Sequence, residues 1–217
     1  METSPFPGIR AVALDFDGVI LDSVPVKTNA FRELFAHAGP ERCARIVAYH
    51  EANGGLSRFV KFRWACTEVL GRPYTEADER ELGRRFNELV EAAVLKAPFI
   101  PGAAEFLERF GGKLPLFVVS GTPQEEVRRI AARRGLSRWL RAVYGSPEKK
   151  ADILRAVVRE LGCAPEAVVM VGDAQNDLDG ASQAGVRFIG VGGGSFPAGT
   201  LVLADLRALA DALRDPG

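Results

Sequence analysis

The chain has 217 residues, 47% of them apolar, and its 28 basic side chains are balanced by 28 acidic ones. Zero net charge argues against a broad cationic footprint for nucleic acid but leaves room for a local cation cluster around a small anion. The apolar share suits one large or two modest well-cored domains, and no apolar run is long enough to span a bilayer.

The first ten residues lack the basic and apolar regions of a signal peptide, so a soluble cytoplasmic protein is expected. Cys43, Cys66 and Cys163 are odd in number and widely spaced. They form neither a zinc-site pattern nor a disulfide framework, and are expected as small buried apolar residues.

In chain order, the first informative stretch is Arg10 to Ile20. An apolar run ends there in Asp15, Asp17 and Gly18, and such runs bounded by turn signals read as buried strands. Two carboxylates at the end of a buried strand are costly unless their charge is offset, and a divalent cation would offset it. Taken alone, the segment reads equally as a strand followed by an Asp-Gly turn.

Residues 24 to 96 follow with helical periodicity and no convincing strand, punctuated by Pro25 at one end and by Pro98 to Gly102 at the other. They are expected to form a helical insertion. Within it, Asn53-Gly54-Gly55 signals a loop and Ser57 is suited to cap the next helix. Phe59, Phe62, Cys66 and Val69 then lie on one apolar stripe. Arg58 and Lys61 sit off that stripe, roughly 60° apart at about 100° per residue. They either face a crevice and hold an anionic group or lie on an ordinary solvated helix face.

Beyond residue 100, helix and strand alternate. Gly102 to Phe110 reads as a helix and Leu114 to Val119 as a strand ending in Ser120-Gly121-Thr122. Thr122, Pro123 and Glu125 fit a capping box opening the next helix. Ala142 to Tyr144 is a short strand, and Ser146-Pro147 is expected to open another helix with Lys149 and Lys150 in its first turn. Cations there oppose the helix dipole, which hints at function. Ala167 to Val171 is a strand ending in Gly172-Asp173-Ala-Gln-Asn-Asp177, and Val186 to Val191 is the last core strand. Gly192-Gly193-Gly194 is a poor match to a phosphate-binding loop and is expected to be a flexible surface turn. A terminal helix is expected near Leu203 to Leu213. Carboxylates, a hydroxyl and lysines thus all fall just past the carboxyl ends of strands, the edge at which an open α/β sheet places its active crevice.

The order Asp15-Phe-Asp17, then Ser120, then Lys150 (or Lys149), then Gly172-Asp173 with Asp177 resembles the four motifs of the haloacid dehalogenase-like hydrolases, and the resemblance covers nearly the whole chain. It implies an α/β fold: a Rossmann-like three-layer core with a parallel sheet, formed by residues 1–22 and 97–217. Residues 23–96 would form an inserted α-helical cap of the phosphoglycolate phosphatase and β-phosphoglucomutase kind. It also implies a Mg2+-dependent aspartyl nucleophile, Asp15, and an acid/base, Asp17, whose carbonyl binds the metal along with Asp15 and Asp173.

Ser120 and Gly121 would bind the phosphate, and Lys150 would neutralise it; the preference for Lys150 over Lys149 rests on the resemblance. Asp177 would bind a metal water or support Lys150, or be a solvated helix-start residue. Asn176 and Asp179 are expected to be loop and cap residues. Within the family resembled, an acid two residues after the nucleophile favours a phosphatase or a phosphomutase over a dehalogenase or a phosphonoacetaldehyde hydrolase; a phosphatase is expected, with a sugar phosphomutase or a non-catalytic binding protein as alternatives. The implied partner is a small phosphorylated substrate, with no nucleic acid and no membrane, acting on a monomer or homodimer.

Overall fold

The computed structural model describes residues 8–213; the expected core segments also include residues 1–7 and 214–217, which lie outside the described residues. The elements are β1 (Ala11–Leu14), α1 (Val24–Leu34), α2 (Pro40–Ala52), α3 (Arg58–Trp64) and α4 (Glu76–Val94). They continue with α5 (Ala103–Phe110), β2 (Leu116–Pro123), α6 (Gln124–Arg133), β3 (Ala142–Ser146), α7 (Lys150–Leu161) and β4 (Val168–Gly172). The chain closes with α8 (Gln175–Ala184), β5 (Arg187–Val191), β6 (Val202–Leu203) and α9 (Leu206–Ala212).

All strand pairs are parallel, in the order β3-β2-β1-β4-β5-β6. Parallel strands need both faces covered, so their sequences read as continuous apolar runs. Alternate residues then pack on opposite sides. Val12 and Leu14 join one apolar cluster with Val118 and Val171. Ala11 and Ala13 join the other with Val119 and Met170. From β1 the chain adds β2 and β3 on one side and returns to add β4 on the other. The switch point therefore lies at the carboxyl end of β1, where the crevice of such a sheet opens.

Between β1 and α5 every regular element is helical. The expected stripe holds: Phe62 and Cys66 are fully buried, and Phe31, Phe62 and Phe86 meet with ring centroids 5.3 to 5.8 Å apart. Such tilted and edge-on pairs add modestly to their area burial. This aromatic cluster is continuous with the apolar face of the sheet, so the helical cap is docked on the core. Among the described residues no helix is long and apolar enough to cross a membrane.

Several local expectations are corrected. Helix α6 begins at Gln124 with Pro123 at its N-cap and no side-chain capping bond, because β2 runs on through Thr122 and that hydroxyl is engaged elsewhere. Helix α7 begins at Lys150, not near Ser146, which ends β3. Ser57 precedes α3 without capping it through its side chain. Leu203 belongs to a sixth strand paired with β5, so the terminal helix starts later. Cys43 and Cys66 are buried and Cys163 is partly so, all as free thiols.

Candidate active site

Asp15 follows β1 directly and its backbone N–H bonds Val171 of β4 at 2.9 Å, which fixes it at the switch point. Its carboxylate is buried and accepts from the Lys150 Nζ at 2.9 Å. The same ammonium donates to Asp177, which is fully buried and also accepts from the Ala174 N–H. Lys150 is held well above its ordinary range because Asp15 and Asp177 outweigh the burial that would lower it. Lys149, by contrast, is exposed. Together these two carboxylates offset the unfavourable field of the helix start at Lys150.

Asp173 emerges from β4 beside Asp15, and one carboxylate oxygen each from Asp15, Asp173 and Asp177 lie within 4.8 Å of one another. Burial, followed by repulsion among these acids, pushes Asp173 up to about 7. Burial also raises Asp15 well above its usual range despite Lys150. Three close carboxylates facing one ammonium leave negative charge uncompensated, and oxygen-only donors of this kind fit a hard divalent cation. Gly18 permits the close approach. It has φ 83°, and a β-carbon there would lie 2.1 Å from an Asp173 carboxylate oxygen.

Asp17 faces the other way. It forms an ion pair with Lys27 of α1 at 2.5 Å and accepts from Ser23 at 2.5 Å and from the Thr122 hydroxyl at 3.0 Å. Burial alone would raise its carboxyl; Lys27 and these hydrogen bonds win and hold it below the ordinary value. Ser120 is buried, and its hydroxyl accepts from the Thr122 N–H at 3.1 Å. Gly121 lies under the cap loop, where a β-carbon would sit 2.2 Å from the Gly55 carbonyl oxygen. Asn176 donates to the same carbonyl at 3.0 Å, so it bridges core and cap instead of being a mere loop residue. Asp179 is exposed and accepts from the Gln175 amide at 2.7 Å.

Some of these groups line a cavity of about 400 Å³, while Ser120, Lys150 and Asp177 lie behind its wall; the volume is within the usual range for small-molecule sites. Asp15, Asp17, Gly121 and Asp173 line its floor side, and Arg58 and Lys61 line it from the cap. Gly193 and Gly194 line it too, so the glycine run is an exposed turn, as expected at Gly192 and Gly193, that also borders the cavity. Arg58 and Lys61 are both buried, which removes the solvated-face reading. Arg58, however, is paired with Glu126 of α6 at 2.6 Å and with Asn87 at 2.5 Å. Lys27 and Thr122 are the groups the sequence reading missed. Lys27 carried no motif signal, and Thr122 was masked by its suitability as a helix cap.

The family model described as haloacid dehalogenase-like hydrolase matches residues 9–185. A phosphoglycolate phosphatase of Chromobacterium violaceum is 30% identical over 208 residues, covering 89% of each chain. Another, from Escherichia coli (strain K12), is 26% identical and covers 86% of this chain and 82% of its own. Among solved structures, CbbY from Rhodobacter sphaeroides in complex with phosphate superposes with a TM-score of 0.68 at 21% identity. It covers 93% of this chain and 96% of that one, a likeness of fold.

Proposed function

We propose that this chain, which belongs to the haloacid dehalogenase-like hydrolases and is a phosphatase of that family, hydrolyses a small phosphorylated metabolite of the phosphoglycolate kind through a phosphoryl intermediate on Asp15, in the cytoplasm and with Mg2+. The observation that carries the reading is the position of Asp15. It is a buried carboxylate at the sheet's switch point, bonded to Lys150 and opposite Asp173, on the wall of a cavity closed by helices.

In this reading residues 1–22 and 97–217 are the catalytic core and 23–96 the cap. A carboxylate oxygen of Asp15 attacks phosphorus as the bond to the leaving oxygen breaks. That oxygen takes a proton from Asp17, and Asp17 then removes a proton from the water that cleaves the Asp15–phosphoryl bond. Splitting one difficult displacement into two is the purpose of such a nucleophile. In the arrangement described, Lys27 holds Asp17 as a carboxylate, the form that activates water; delivering a proton requires that this ion pair open. Ser120 and the Gly121 N–H bind phosphoryl oxygens, and Lys150 neutralises them while Asp177 orients Lys150. Asp15, Asp173 and the Asp17 carbonyl would hold Mg2+, which when bound supplies positive charge to the phosphoryl oxygens.

The reading is supported by the names of the curated relatives, which are phosphoglycolate phosphatases. Its test is release of inorganic phosphate from phosphoglycolate, phosphorylated sugars and nucleotides by the purified chain. Turnover should vanish in excess chelator and return with Mg2+. Full activity in chelator would remove the metal from the reading, and isomerised sugar phosphate without free phosphate would replace the phosphatase by a mutase.

A further inference from the structure

The charges around the cavity are unequal in what they have left to offer. Lys27 is neutralised by Asp17 and Lys150 by Asp15 and Asp177. Arg58 donates to Glu126 across the cap–core boundary, donates to Asn87, and lies 4.5 Å over the Phe86 ring. His50 lines the cavity as a neutral ring, since burial and then Lys61 push it down to about 3. Among the described residues, Lys61 is the cavity cation without a carboxylate partner at ion-pairing distance.

Lys61 is held in a defined pose. Its Nζ contacts the His50 Nδ1 and carbonyl oxygen, each at 3.2 Å, and the His50 ring is stacked on Phe31 at 4.1 Å. A neutral imidazole accepting at Nδ1 carries its proton on Nε2. An ammonium has three N–H donors and no acceptor, so His50 takes two and one remains for a ligand. Lys61 is 4% exposed, so a ligand oxygen meeting that third donor makes a charge-assisted bond away from bulk water.

Resting on the phosphatase reading, we propose that Lys61 is the specificity-determining residue of this chain. Its remaining N–H receives a carboxylate at the far end of a small phosphate monoester, and Arg58 does not share in that contact. A single donor on a single charge matches a carboxylate. A phosphate dianion would leave one of its charges unbalanced by this ammonium, and the guanidinium of Arg58, which could have gripped it with two bonds, is occupied by Glu126.

Burial and the neighbouring Lys27, only partly offset by Asp17, bring the Lys61 ammonium down to about 7. Other charged groups around it are Asp15 and Lys150, together with the exposed Glu51 and the paired Arg58 on the cavity wall. Above that pH the third position carries a lone pair, which repels a carboxylate.

The test compares kcat/KM for phosphoglycolate with that for 2-hydroxyethyl phosphate, in which the carboxylate is replaced by a hydroxymethyl group. The wild-type chain should prefer phosphoglycolate, and Lys61→Met should reduce the preference about 10- to 100-fold, the range for losing a hydrogen bond to a charged group. In the wild type, with no variant needed, the same ratio should fall as pH rises through about 7; taking a ratio cancels the chemistry common to both substrates. A Lys61→Met ratio equal to wild type, or a wild-type ratio flat from pH 6 to 9, overturns the proposal while leaving phosphatase activity intact. Absence of phosphate release from either substrate would instead strike at the parent reading.

Discussion

The Arg58–Glu126 pair joins cap to core, and its side chains are only 5% and 7% exposed. Exposed ion pairs contribute about 0–1 kcal/mol. Breaking a buried one by removing a single partner costs about 3–5 kcal/mol, because the other charge stays buried and uncompensated. Glu126→Ala leaves the Arg58 guanidinium with the neutral Asn87 amide and the Phe86 ring. Arg58→Ala is worse placed still, because the Glu126 Oε2 already lacks a partner and the whole carboxylate would then be unpaired. Each single variant should therefore lose about 3–5 kcal/mol with the cap closed, unless the cap opens and returns the orphaned charge to water. The double variant Arg58→Met with Glu126→Leu removes both charges and should lie close to wild type, since apolar replacement of such pairs is often neutral or stabilising.

Urea unfolding followed by circular dichroism reads the first outcome, and amide hydrogen exchange over residues 54–63 reads the second. If both single variants match wild type within about 0.5 kcal/mol, the usual scatter of an uninvolved surface change, and exchange is unaltered, the pair is not a latch and the reasoning fails.

Three further outcomes follow from the site. Asp15→Asn should abolish phosphate release, whereas Asp17→Asn should slow it by about 10²–10⁴-fold, the range for losing general acid–base help; steady-state kinetics with pure variants decides, and an active Asp15→Asn moves the nucleophile elsewhere. Lys150→Ala should eliminate turnover, because it leaves Asp15 and Asp177 buried without their counter-charge. The exposed Lys149 can become Ala with little effect, and the reverse ranking would shift the third motif by one residue. Gly121→Ala places a carbon about 1 Å short of ordinary contact with the Gly55 carbonyl. Displacing the cap loop by such a distance should cost about 10²-fold in kcat/KM, and faster exchange at residues 54–56 should accompany it.

The interiors of the five main strands are legible in local sequence, whereas the extension of β2 to Pro123 and the short β6 are not. Runs such as Ala11–Leu14 and Val168–Gly172 are apolar on both faces, which only a covered parallel sheet accommodates. Asp15 and Asp173 directly follow such runs, so local order alone sends both to one sheet edge. The helical periodicity of residues 58–69 likewise set which side of α3 is apolar. What it left open was the destination of the other side.

Whether Arg58 met water, a ligand or an acid depended on Glu126, 68 residues away, and no local pattern encodes that meeting. Thr122 shows the same limit. Its hydroxyl suits a helix cap and a carboxylate equally well, and the choice fell to Asp17 because packing brought that group within 3.0 Å. Lys27 was illegible for a related reason: a lysine in a helix signals a solvated face until the fold sets a half-buried carboxylate against it. Tertiary structure decided these partners because an ion pair's strength depends on separation and burial, and both are properties of the packed chain.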